Sequence, residues 1–116
     1  MEQLNRVELR GIVGSARISE IGGSRLAHIT LATNRLYRDR SGGAVIETTW
    51  HNVTAWEGPN CCCLDLIERG SRIHLTGRLR VQRYTGADGE QRSVTEIMAE
   101  RMELIGGDEP LKCQCA

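Results

Sequence analysis

The chain has 116 residues and a mass of 12.9 kDa, the size of one domain. Hydrophobic residues make up 40 % of it and charged residues 26 %, and 15 Lys+Arg balance 15 Asp+Glu to a formal net charge of zero, which excludes a histone-like polycation and an acidic disordered tail. Aromatic residues are only 3 %, namely Tyr37, Trp50, Trp56 and Tyr84 with no Phe, so the core has to be built from Val, Ile, Leu, Ala and Met.

Residues 6–13 alternate, with Val7, Leu9, Gly11 and Val13 set against Arg6, Glu8 and Arg10. That is the pattern of a half-buried strand. A turn at Ile21-Gly22-Gly23-Ser24 leads to a second strand over residues 26–34. A polar loop with the turn signal Asp39-Arg40-Ser41-Gly42-Gly43 precedes a third strand from about Val45 to Trp56. Gly58-Pro59-Asn60 breaks that strand, and residues 61–69 read as a short helix, with Asn60 as N-cap and Gly70 as its stop. A fourth strand runs from Ser71 to about Tyr84, with Ile73, Leu75, Gly77, Leu79 and Val81 on one face. Ala87-Asp88-Gly89-Glu90 carries the Asp-Gly hairpin signal. The fifth strand, about Arg92 to Leu104, slips in parity once near its middle, which predicts a bulge. The order β-β-β-α-β-β is that of an all-β OB-fold, a five-stranded Greek-key barrel with a short helix between strands 3 and 4. The domain is expected over residues 1–105, with 106–116 as a short flexible tail.

Zero net charge hides a local pattern. Residues 69–83 hold Arg69, Arg72, Arg78, Arg80 and Arg83 and no acid. Residues 25–40 hold Arg25, Arg35, Arg38 and Arg40 against Asp39 alone, while 93–116 is rich in acids. The local stripe sets the potential that an anionic polymer meets. Parity puts Thr48, Trp50, Asn52, Thr54 and Trp56 on one face of the third strand and His51, Val53 and Ala55 on the other. It likewise gathers Arg72, Arg78, Arg80 and Tyr84 on one face of the fourth. A lone strand Trp is more often a core or rim residue than a platform, and strand Arg is usually solvated. Here all four aromatics coincide with the basic segments or the strand joining them. A base presents a π-face whatever its identity, so Trp and Tyr plates bind any sequence, and Arg neutralises phosphate or stacks. Such a surface reads single strands, because a duplex hides the faces of its bases.

Asn5-Arg6-Val7, Ile29-Thr30-Leu31-Ala32-Thr33-Asn34, Tyr37-Arg38-Asp39, Thr49-Trp50-His51-Asn52-Val53, Gly70-Ser71, Thr76-Gly77-Arg78-Leu79-Arg80 and Arg83-Tyr84-Thr85 follow one another in this order. Through them the chain resembles the bacterial single-stranded DNA-binding protein family from about Asn5 to Leu104, in the short form found in the Bacteroides group. The resemblance implies an OB-fold and a homo-oligomer, usually a tetramer. It also implies sequence-independent binding that protects exposed strands in replication, recombination and repair. The family's stacking aromatics fall on Tyr37, Trp50, Trp56 and Tyr84. Arg35, Arg38, Arg72, Arg78, Arg80 and Arg83 are the expected phosphate contacts, and His51 and Val7 the expected subunit-interface positions. The family's acidic tip, which recruits replication and repair enzymes, has no counterpart in Lys112-Cys113-Gln114-Cys115-Ala116, which puts tail-mediated recruitment in doubt. The family also has no counterpart of Cys61-Cys62-Cys63.

Two rival readings remain. Five Cys with His28, His51 and His74 could supply a metal or redox site, but zinc sites favour paired Cys spaced two to four residues apart in two sets. Adjacent cysteines and an odd total fit reduced thiols instead, so no metal or cofactor is expected. The alternative within the fold is an RNA- or protein-binding OB-fold accessory module. No nucleophile–base pair stands out, and Gly86-x-x-Gly89 is hairpin chemistry and not a phosphate loop, so no enzyme is expected. No run of about 18 apolar residues suits a membrane span, and the N-terminus lacks the layout of a signal peptide, so the expected location is cytoplasmic.

Overall fold

The computed structural model describes residues 3–61, 64–106 and 109–111. Six strands follow in chain order: β1 Val7–Ile21, β2 Ser24–Arg38, β3 Ala44–Trp56, β4 Arg72–Thr85, β5 Gln91–Gly106 and β6 Glu109–Leu111. β1 pairs antiparallel with β2 and β4, β2 with β3, and β4 with β5. A short parallel pairing of β3 with β5, Val53↔Ile97 to Ala55↔Ala99, closes the first five strands into a barrel. This is the expected OB architecture.

β1 is twice the length that its alternation predicts, because a bulge interrupts the pattern. Val13 opposes Leu31 and Ser15 opposes Thr30, so Gly14 is the extra residue. Alternation resumes in the opposite phase, with Ala16 turned to the core and Ser15 and Arg17 turned outward. The parity slip predicted in the fifth strand is a second bulge: Thr76 opposes Arg101 and Gly77 opposes Ala99, leaving Glu100 unpaired. A Cβ at Gly77 would collide with the backbone of Met98, so only glycine lets β4 and β5 approach this closely beside the bulge.

The core is aliphatic, as the composition requires. Val13, Ile29, Leu31, Val53, Leu64, Ile73, Leu75, Ile97 and Met102 are buried together. All four aromatics are exposed. Two hairpins, β2–β3 and β4–β5, run beyond the barrel as arms. The radius of gyration, 16.4 Å, accordingly exceeds the ~13 Å of a compact domain of this length.

Three expectations need correction or extension. The predicted short helix over 61–69 is only a single 3-10 turn, Leu64–Leu66. Asn60, the expected N-cap, lies four residues before the first residue of that turn. The Asn60 carbonyl accepts from Met102 N, and Gly58 and Cys61 form an isolated bridge, so the backbone before the turn is committed to the sheet. Leu79 and Val81 continue the apolar alternation of β4 yet are 47 % and 59 % exposed, because the strand has left the barrel there. In the segment expected as a tail, residues 109–111 pair with β5 through Leu104↔Leu111. Cys62, Cys63, Cys113 and Cys115 lie outside the described residues. Among the described residues no helix is long and apolar enough to cross a membrane, and no cluster of His, Cys, Asp and Glu could hold a metal.

Candidate nucleic-acid interface

Residues in register on antiparallel neighbours share a face. Registers across β1, β2 and β3 therefore build a panel of four rows on the outside of the barrel. The first is Ile12–Ala32–Trp50, extended onto β4 by Arg72. Next come Ser15–Thr30–Asn52 and Arg17–His28–Thr54. The last is Ser19–Leu26–Trp56. Trp50 and Trp56 thus bracket two polar rows, ~20 Å apart along the strand. They are 61 % and 41 % exposed, as a platform needs.

The Trp50 ring has a defined seat. It lies across Gly14, where a Cβ would stand 2.8 Å from ring atom Cη2 and closer still to Cζ3. The β1 bulge therefore supplies a bare backbone floor for the indole. Beside it, the Ser15 and Thr30 hydroxyls hydrogen-bond at 2.8 Å. The polar rows line a shallow groove of about 530 Å³ whose far wall is Val94 and Glu96 of β5.

That wall continues onto the β4–β5 arm. Arg78, Arg80, Gln82 and Tyr84 share its face with Met98, Glu96, Val94 and Arg92. Tyr84 is half exposed and sits opposite Arg92. Arg92 reaches Asp88 at 2.7 Å, and this bond, with one from Glu90 N, holds the Asp88 carboxyl below the usual carboxylate range. Arg80 is ion-paired to Glu96. Arg83 opposes Ser93 on the alternate face.

The other arm carries Tyr37, Arg35 and Arg38. Tyr37 opposes Val45 and Arg35 opposes Glu47, on the local face alternate to Trp50, while Arg38 opposes Ala44 on the Trp50 side. Tyr37 is 39 % exposed. The arm's tip is fixed by Asp39, which accepts from Ser41 Oγ at 2.7 Å, Ser41 N at 3.0 Å and Gly43 N at 2.8 Å. The Ser41 hydroxyl bond and then the Gly43 bond hold the Asp39 carboxyl below its ordinary range. Of the two expected interface residues, His51 is half-buried on the side away from both Trp residues, with Nε2 2.9 Å from Thr33 Oγ1. Val7 packs against the core on β1. The two are not neighbours.

A model of the single-strand binding protein family matches residues 4–105. The chain belongs to that family. It is 32 % identical over 106 residues to the single-stranded DNA-binding protein of Xylella fastidiosa, and 32 % identical over 108 residues to that of Neisseria meningitidis. Each alignment covers 90 % of this chain, which spans 65 % and 61 % of the respective relative's length. Among solved structures it resembles a Plasmodium falciparum SSB in complex with ssDNA, with a TM-score of 0.75 and 28 % identity, covering 90 % of this chain and 96 % of that one. A deletion variant of the single-stranded DNA binding protein from Thermus aquaticus gives a TM-score of 0.76 at 26 % identity, over 93 % of this chain and 54 % of that one.

Within this family member, sequence reasoning found the two Trp residues and their shared face. It missed Gly14, Ser15, Arg17, Thr30, His28 and Glu96. The first three sit at or past the β1 bulge, where alternation had lapsed. A glycine followed by a resumed polar alternation was the available signal. Thr30 and His28 fell inside an apolar run, and Glu96 read as one of several acids.

Proposed function

We propose that this chain binds single-stranded DNA without sequence preference, as a binder and not a catalyst. The observation that carries the reading is the panel, in which two exposed Trp residues bracket polar rows that contain Arg17, and Arg72 stands in the register row of Trp50. Successive bases stack on Trp50 and Trp56, and on Tyr84 and Tyr37 at the arms, while arginines take phosphates. A duplex offers no base faces to such a surface. The solved relative that holds ssDNA supports the same ligand here. The proposal extends to the protection of exposed strands in replication, recombination and repair, in the cytoplasm, and to a homo-oligomer, with a tetramer as the family's usual form and His51 and Val7 as interface positions.

A Trp50→Ala/Trp56→Ala double variant tests the platform. Stacking is worth about 1–3 kcal/mol per base, so affinity for oligo-dT should fall at least tenfold while the melting temperature holds, because both rings are exposed. Since the variant has no Trp, anisotropy of a labelled oligonucleotide is the readout. Unchanged affinity would contradict the stacking role.

A further inference from the structure

Glu96 is an acid in the wall of a groove proposed to take a polyanion, and its side chain is 12 % exposed. Both carboxylate oxygens are engaged. Oε1 accepts from Arg80 Nε at 3.0 Å and lies 2.9 Å from Arg80 Nη2, and Oε2 accepts from Thr54 Oγ1 at 2.9 Å. Thr54 is buried on β3 and Arg80 projects from β4, so Glu96 on β5 ties the panel to the arm. A guanidinium has five N–H donors in a plane. Glu96 takes the Nε donor and sits close to Nη2, and the far edge of the guanidinium stays open, with the Arg80 side chain 43 % exposed.

A phosphate that displaced Glu96 would strand a nearly buried carboxylate without its counter-charge, which is strongly disfavoured. An incoming strand therefore meets Arg80 already neutralised, flat and fixed. The planar, weakly hydrated guanidinium is suited to lie against a base. Across the groove the situation is reversed. Among the described residues Arg17 lines the groove and Arg72 shares the Trp50 row, and neither makes an ion pair.

Building on the single-strand reading, we propose that Glu96 is a positioning residue that sorts the groove. It fixes Arg80 as an electrically neutral, base-facing wall and thereby confines the phosphates to the side of Arg17 and Arg72. The acid makes this wall unattractive to phosphate, and the pairing makes it hospitable to bases.

The salt dependence of oligo-dT affinity reads this directly, because each phosphate neutralised on a single strand adds about 0.7 to the slope of log K against log salt. Arg17→Gln calibrates the scale and should flatten the slope by about 0.7. Arg80→Gln should lower affinity but leave the slope at the wild-type value. Glu96→Gln, which frees Arg80 for phosphate, should steepen the slope by about 0.7, a further ~2.6-fold loss between about 50 and about 200 mM salt. Arg80→Gln/Glu96→Gln should return to the wild-type slope. Either single variant decides alone if the other fails to fold. An Arg80→Gln slope that flattens as much as that of Arg17→Gln overturns the proposal, as does a Glu96→Gln slope equal to wild type or an Arg17→Gln slope that does not flatten. Wild-type protein that does not bind oligo-dT defeats the single-strand reading itself, whereas wild-type binding with those slopes defeats only the sorting role.

Discussion

Trp50 owes its seat on the proposed platform to a residue with no side chain. An exposed indole on a strand would otherwise sample several rotamers, and stacking would have to bear the cost of ordering it. The bare backbone at Gly14 lets the ring lie down, and no positive φ is involved there, so the demand for glycine is one of space alone. Gly14→Val should lift the ring and reduce affinity for single strands about as much as losing Trp50 does. In a Gly14→Val/Trp50→Ala double variant the two losses should fail to add, since they remove one contact. Oligonucleotide anisotropy on the four proteins checks this, and fully additive losses would count against the floor. Trp50 itself was legible in the sequence, because rare aromatics on one parity of a strand stand out. Its seat was not, because a bulge shifts the phase of a strand and single-strand parity cannot carry across it.

At the scale of elements, the strands announced themselves and the helix did not form. Alternation is a strong signal when one face meets a core, which is why the five barrel strands and the β5 bulge were readable. The segment 61–69 is apolar without helical commitment, and its backbone finds partners in the sheet instead. What anchors the 3-10 turn is an ionic clamp that no local pattern reveals. Arg25 at the start of β2 bonds Glu57 just past β3 at 3.0 Å and bridges both oxygens of Asp65 in the turn. The Arg25 hydrogen bond holds the Asp65 carboxyl below its ordinary range. With a folded pKa below the unfolded one, the unfolded chain binds more protons as pH falls through this window. The stabilisation is therefore present above about pH 4 and lost below it. Asp39 and Asp88 act with the same sign. Denaturant unfolding at several pH values from about 2 to about 6 should show stability falling on acidification, with a shallower fall in Asp65→Asn. Equal pH dependence in the two proteins would show the clamp to be unimportant. The arms follow a different rule. Leu36 opposes Ile46, and Leu79 and Val81 sit on β4 beyond the barrel, all exposed. The apolar alternation of Leu79 and Val81 looked like core in the sequence because alternation reports which face a residue takes and not where the barrel ends.

The whole molecule reconciles a neutral chain with the polyanionic ligand proposed for it. Acids are spent on structure: Asp65 and Glu57 on Arg25, Asp88 on Arg92, Glu96 on Arg80 and Glu8 on His74. Arg17 and Arg72 are left on the panel without ion pairs among the described residues. Scarce aromatics fit the same division, with an aliphatic core inside and every large ring outside. Exposed apolar side chains on both arms suit a protein that assembles further, and the proposed tetramer should weigh about four times 12.9 kDa in solution by light scattering. A monomer at micromolar concentration would exclude assembly through His51 and Val7. The central claim is that the Trp panel takes unpaired bases. Its most direct test is to titrate the wild-type protein with oligo-dT and with a duplex of equal length while following Trp fluorescence. Strong quenching by the single strand, with affinity for it at least a hundredfold above that for the duplex, is the predicted result. Absent quenching, or equal affinity for the two, would contradict it.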